Sequence, residues 1–374
     1  MARVLDLTTE TGAYAARLLV EAGHDVVRIE PPQGDSLRRR GPFLEGAPPL
    51  EASADHHFLN AGKRSLTLDL TVEAGRQILL RLVEAADLVV ANLPLPIKVN
   101  DLMQARPGLI FIGIEGDGHE LCTAARTGIL SITGQPGERP SVPGAHVIQA
   151  VVALHVATTA SAALYAKDQT AQGQKIIVSE AECLVAMMEQ AMVTWTTTGK
   201  STERKGYRGA VTAVSGAFAC ADGYWMLSVP PSGDGWSRFV EWMGDPRLGQ
   251  DGALGSEASR NAEKENILET IDRWSASQRK LDLVTQGQGR HIPATPVNTP
   301  LELTNDPQLI GRGFLRDVDH PLLGTMRLPV GAIAALRGAA PVRAPVLGEH
   351  SREILCELGY SDEERRSLME TGTV

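Results

Sequence analysis

Between Arg3 and Ile114, apolar runs of strand length alternate with segments of helical spacing, and this alternation constrains the fold more than any other feature of the chain. Arg3 to Leu7 is a short apolar strand, Thr11 to Ala22 places Ala and Leu at helical spacing, and His24 to Ile29 is a second strand. A strand, crossover helix and strand in that order make a βαβ unit, so the two strands lie parallel. The pattern recurs, with strands over Ser65 to Leu70, Asp87 to Ala91 and Leu109 to Ile114, and helices over Val72 to Ala85 and Ile97 to Gln104. The expected fold class is α/β, with a Rossmann-like layer over roughly residues 1–115. No GxGxxG fingerprint or Walker A loop accompanies it, so the sheet alone makes no case for a dinucleotide or a nucleoside triphosphate.

Beyond this layer the spacing predicts a long Ala-rich helix over residues 150–168, a break at Gln172 and Gly173, and a strand from Lys175 to Ser179. From Val214 the texture changes to Trp-, Gly- and Pro-rich segments, with Gly223 to Met226 reading as a hairpin edge and Glu265 to Gln278 as an amphipathic helix. The expected division is a large Rossmann-like domain over 1–209, a smaller α+β domain over 210–325, and a segment over 326–374 that returns to the large domain. A chain of 374 residues is long enough for two packed cores.

The net charge is -9, so the bulk field repels nucleic acid and anionic membrane, and neither is expected as a partner. Any polyanionic ligand must be held by local basic residues. Cys122, Cys183, Cys220 and Cys356 are scattered without CxxC spacing, which points to a reducing cytoplasm and to no metal site. The N-terminus reads directly as a strand rather than as a leader, and no apolar run is expected to reach the roughly 18 residues of a membrane span.

Several segments, taken in order, resemble the class III CoA-transferases, the family that includes formyl-CoA transferase, carnitine CoA-transferase and alpha-methylacyl-CoA racemase. They are Val4 to Leu7, Val26 to Pro32 with Gly34, Asp35 and Arg38, Gly41 to Phe43, Phe58 to Leu70, Asp87 to Asn92, Gly173-Gln174, Pro293 to Asn298, and Leu347 to His350. The resemblance implies two chains threaded as interlocked rings, with coenzyme A or an acyl-CoA as substrate and no covalently bound cofactor. It also implies that the CoA adenosine and phosphates lie near Glu10 and Thr11, Pro31 and Arg38, Lys63 and Arg64, and Asn92. Where the family often has an arginine eight residues after that asparagine, this chain has Asn100, leaving Lys98 as the substitute. The loop from Thr8 to Gly12 is one residue shorter than in formyl-CoA transferase.

The family's transferases attack the acyl-CoA carbonyl with an aspartate placed just before the Ala-rich helix, forming a mixed anhydride. Counting back from Gly173-Gln174 puts that position on Gln149, and an amide cannot form the anhydride. The racemase branch uses a His-Asp pair, which Gly118-His119-Glu120 resembles, but its opposite-face aspartate again falls on Gln149. Gly233, Asp234 and Gly235 resemble the glycine-rich loop that closes over the transferase intermediate. The resemblance implies a non-catalytic subunit paired with an aspartate-bearing paralogue, of the type found in the two-subunit succinyl-CoA:benzylsuccinate CoA-transferase. The alternatives are a racemase or isomerase using His119 and Glu120, and a non-catalytic CoA-binding homodimer.

Overall fold

A computed structural model describes residues 1–144, 146–208, 212–231, 233–249, 253–333 and 342–374. By contacts it divides into one unit of residues 1–129, 143–189 and 308–374, and a second of 130–142 and 190–307. These bounds depart from the expected breaks at 209 and 325, and residue 210, where the smaller domain was expected to begin, lies outside the described residues. The physical reason at the later break is that residues 308–329 bond to the first unit: Arg17 donates to the Pro329 carbonyl at 2.7 Å, and the His320 ring meets His57 edge-on at 4.9 Å.

The first unit opens with β1 (Arg3–Leu7), α1 (Glu10–Glu21), β2 (Asp25–Glu30), α2 (Ala54–Leu59), β3 (Arg64–Thr67), α3 (Glu73–Glu84), β4 (Leu88–Asn92), α4 (Val99–Ala105), β5 (Ile110–Glu115) and α5 (Glu120–Arg126). After α6 (Ile129–Ile132) come α7 (Val147–Thr170), β6 (Gln174–Ser179) and α8 (Glu180–Met187). The strands form one sheet in the order β3-β2-β1-β4-β5-β6, every pairing parallel. Parallel strands covered on both faces must be apolar along their length, and alternate residues serve alternate layers. Leu5, Val27 and Val89 pack with Ile78, Leu79 and Leu82 of α3, while Val4, Val26 and Val90 pack with Ala16 and Leu19 of α1 and Val152 and Val156 of α7.

Small residues let α1 close on the sheet. A Cβ at Gly12 would stand 2.3 Å from Thr8 Cγ2 and 2.8 Å from Ile114 Cδ1, so only glycine fits there. The expectation that no apolar run is long enough to cross a membrane needs correction, since α7 meets that test by length and composition. One face of it belongs to the core, with Val152, Ala153, Val156 and Ala160 fully buried.

The second unit follows α9 (Glu189–Thr198) with β7 (Ser215–Cys220), β8 (Gly223–Ser228), α10 (Gly235–Met243), α11 (Pro246–Gly249), α12 (Glu257–Ala262), α13 (Lys264–Ser275), α14 (Lys280–Gly289), β9 (Ala294–Val297) and α15 (Pro300–Thr304). Gly223 to Met226, expected at a hairpin edge, lies instead in the central strand, because β9 pairs with the far side of β8. Trp225, Trp236, Phe239, Trp242 and Leu283 form this unit's core. After α16 (Pro307–Gly311), the chain adds the hairpin β10 (Leu315–His320) and β11 (Gly324–Pro329), then α17 (Ser351–Glu357) and α18 (Asp362–Glu370). The approach to α17 bonds along β3, with Gly348 N donating to Ser65 Oγ at 2.9 Å and His350 N to the Ser65 carbonyl at 2.9 Å.

Candidate active site

The strand order turns round between β1 and β4, and in open parallel sheets the crevice outside the carboxyl ends at such a point is where ligands sit. A cleft of about 510 Å³ lies there. It brings together Glu10 and Thr11 of α1, Pro31 after β2, Asn92 at the end of β4, His119 and Glu120 at the start of α5, and Gln149. Asn92 is held by its side-chain oxygen, which accepts from Thr9 N at 2.7 Å.

The expected phosphate-binding cations do not face this cleft. Arg38 is fully buried and locked by Glu30 (Nε to Oε1, 2.7 Å; Nη2 to Oε2, 2.9 Å) and by Glu51 (Nη1 to Oε1, 2.9 Å). Lys63 Nζ donates to Asp6 Oδ2 at 2.8 Å, to Asn60 Oδ1 at 2.8 Å and to the Ala13 carbonyl at 2.9 Å. Burial pulls its pKa down to about 8, against the upward pull of Asp6. Arg64, at the start of β3, pairs with Glu353 and Glu357 of α17 at 3.0 and 2.5 Å. Lys98 is exposed at the N-terminus of α4 and outside the cleft. Among the described residues lining the cleft there is no Lys or Arg, while Glu10, Glu30, Asp35, Asp69, Glu120 and Glu180 are there. Phosphates are held by cationic donors or by helix N-termini, and of these two the described lining supplies only helix N-termini, that of α1 among them.

Gln149 stands in the first turn of α7, 8% exposed. Its amide nitrogen donates to Glu120 Oε2, and its buried amide oxygen has no partner among the described residues. A carboxylate therefore still reaches this helix N-terminus, where the macrodipole favours negative charge, but it belongs to α5. His119 is exposed and caps α5, its Nδ1 accepting from Leu121 N at 3.1 Å.

A model of CoA-transferase family III matches residues 2–351. The chain belongs to that family. Among curated relatives it is 30% identical over 400 residues to succinyl-CoA:(R)-benzylsuccinate CoA-transferase subunit BbsE of Thauera aromatica, covering 100% of this chain and 97% of the relative. It is 31% identical over 384 residues to succinyl-CoA:mesaconate CoA-transferase of Haloarcula hispanica, covering 96% and 95%. Among solved structures, a CAIB/BAIF family protein from Brucella suis aligns with a TM-score of 0.84 at 25% identity, covering 96% of this chain and 98% of that one.

In this CoA-transferase family III chain the cleft also holds a residue that sequence reasoning missed. Glu180 opens α8 directly after β6, is 7% exposed, and accepts from Thr123 Oγ1 at 3.3 Å. Burial raises its pKa, with the charge of Asp117 adding to the rise and hydrogen bonds from Thr11 and Thr123 opposing it. Its carboxyl lies against the Gly116 backbone, where an added Cβ would come within 2.3 Å of it. The available signal was positional: a carboxylate at the carboxyl end of a parallel strand faces the crevice side of the sheet. Gly233, Asp234 and Gly235 lie in the second unit, where Gly235 begins α10, Asp234 precedes it paired with Arg238, and Gly233 has a left-handed φ of 71°. Among the described residues no group of three or more His, Cys, Asp or Glu could hold a metal ion.

Proposed function

We propose that this chain is the non-catalytic subunit of a class III CoA-transferase that moves CoA from succinyl-CoA to a carboxylic acid, paired with a paralogue that carries the nucleophilic aspartate. The observation that carries the reading is Gln149, whose amide occupies the first turn of α7 facing the cleft and is tied to Glu120. The amide has no ionisable oxygen with which to attack a thioester and leave a reactive anhydride. The lack of Lys and Arg among the described lining residues is consistent with a cleft that no longer serves CoA. Two relatives bear the name of succinyl-CoA-dependent transferases, and one of these is named as a subunit.

Pairing also has a physical motive in the first unit. It leaves Leu154 and Tyr165 of α7 exposed at 53% and 70%, and Ile177 of β6 and Met187 of α8 at 41% and 59%. Apolar area of this kind favours association with a second chain. Expression with and without an aspartate-bearing paralogue, followed by mass, stoichiometry and CoA-transfer measurements, tests the reading. The expected result is an equal-subunit complex whose activity disappears when the partner's aspartate alone is changed. A fully active homodimer of this chain, or an acyl group trapped on it by hydroxylamine, would overturn the proposal.

A further inference from the structure

Next to the cleft lies a second cavity of about 260 Å³, which shares Glu10 and Gln149 with it. One wall is apolar. Tyr14 of α1 and Phe58 of α2 stack with ring centroids 5.8 Å apart and planes 25° from parallel, and Leu59 and Ala150 extend the surface. The Arg17 guanidinium, 4.1 Å from the Phe58 ring centroid, fixes that ring from outside the cavity.

The rest of the lining is polar and internally paired. Arg40 meets Glu10 Oε2 at 3.0 Å through Nη1, Asp55 Oδ2 at 3.7 Å through Nε and the His146 Nδ1 at 3.1 Å through Nη2, while His146 Nε2 lies 3.5 Å from Asp55 Oδ2. The Arg40 and Glu10 side chains are 31% and 38% exposed. An ion pair so open to water is worth little, so another carboxylate can take the place of Glu10 on Arg40 at small cost. Glu10 is then free to turn into solvent.

We propose that this cavity is an acceptor subsite for a carboxylic acid with an aryl or branched-alkyl tail, the tail lying on Tyr14, Phe58 and Leu59 and the carboxylate on Arg40 in place of Glu10. The inference rests on the CoA-transferase reading and adds the class of acid. Size supports a bulky tail: a dry apolar cavity of about 150 Å³ already accepts benzene. The present volume therefore leaves room for a ring and a short chain ending in a carboxylate. Short polar acids would leave the aromatic wall uncovered. Because Glu10 and Gln149 line both cavities, an acid bound here lies next to the cleft.

Calorimetry on the purified chain with 3-phenylpropionate and propionate as probes tests the assignment without any transfer assay, so its outcome is separate from that of the proposed function. The longer acid is expected to bind at least about tenfold more tightly, since a single buried methylene already discriminates by that order. Phe58→Ala should abolish the preference, with Phe58→Leu, which keeps an apolar wall, as the check that a lost preference is not lost folding. Arg40→Gln should weaken both acids, whereas Glu10→Gln, by removing one of the two carboxylates paired with Arg40, should strengthen both severalfold. A gain from removing Glu10 is not expected of a residue that only supports the fold. Equal affinity for the two acids, no saturable binding of either, or an unchanged affinity in Glu10→Gln would overturn the proposal.

Discussion

Arg38→Gln should lower the thermal stability of the first unit while leaving any affinity for CoA unchanged. All five guanidinium hydrogens of Arg38 are engaged: Nε and Nη2 bond Glu30, Nη1 bonds Glu51 and the Leu50 carbonyl, and Nη2 also reaches the Pro345 carbonyl. Glu30 and Glu51 are themselves 1% and 4% exposed, so removing the cation strands two buried carboxylates. Breaking a buried pair from one side costs about 3–5 kcal/mol, because the remaining charge stays desolvated. Each kcal/mol moves the midpoint of a unit of this size by roughly 2–4 °C, so the expected drop is roughly 6–20 °C. Far-UV circular dichroism follows the transition. Tryptophan fluorescence provides a local control, since Trp195, Trp225, Trp236, Trp242 and Trp274 all lie in the second unit. Were Arg38 a phosphate ligand, the variant would keep its midpoint within about 2 °C of the parent and lose CoA affinity about tenfold, and that result would refute the structural argument.

Two further outcomes are expected. The isolated chain should bind CoA more weakly than micromolar in calorimetry, because Arg38 and Lys63 are committed to buried carboxylates and the cleft lining offers no other cation among the described residues; micromolar affinity would contradict this. Stability should fall as pH drops from 6.5 to 4. Burial, followed by the charges of His57 and Arg343, pushes the His320 pKa from 6.5 down to about 4, so in that window the unfolded chain binds a proton that the folded one refuses. His320→Asn should flatten the dependence of the unfolding midpoint over this range, and an unaltered slope would show that His320 does not cause it.

The alternation of strands and helices was legible in the sequence because it is written in local periodicity. Strands expected at Arg3 to Leu7 and Lys175 to Ser179 and helices at Thr11 to Ala22 and Val72 to Ala85 coincide with β1, β6, α1 and α3 to within a residue or so at each end. The absence of a carboxylate at position 149 was equally legible, since it depends on residue identity alone. The Ala-rich helix began three residues earlier than expected, at Val147, which brought Gln149 into its first turn. That shift is of the size by which helix ends are ordinarily uncertain.

Where the charged side chains point was decided only by tertiary structure. Arg38 and Lys63 carry no local mark separating a phosphate ligand from a buried ion pair. Their partners are distant in sequence: Glu51 lies 13 residues from Arg38, the Pro345 carbonyl 307 residues away, and Asp6 57 residues from Lys63. Glu180 likewise joins Glu120 and Gln149 in one cleft only because β6 lies beside β5 in the folded sheet. Periodicity records how each segment meets the core, because that demand repeats along the segment. A buried charge must satisfy a single point in space, and the groups that satisfy it come from whichever segments the fold brings there.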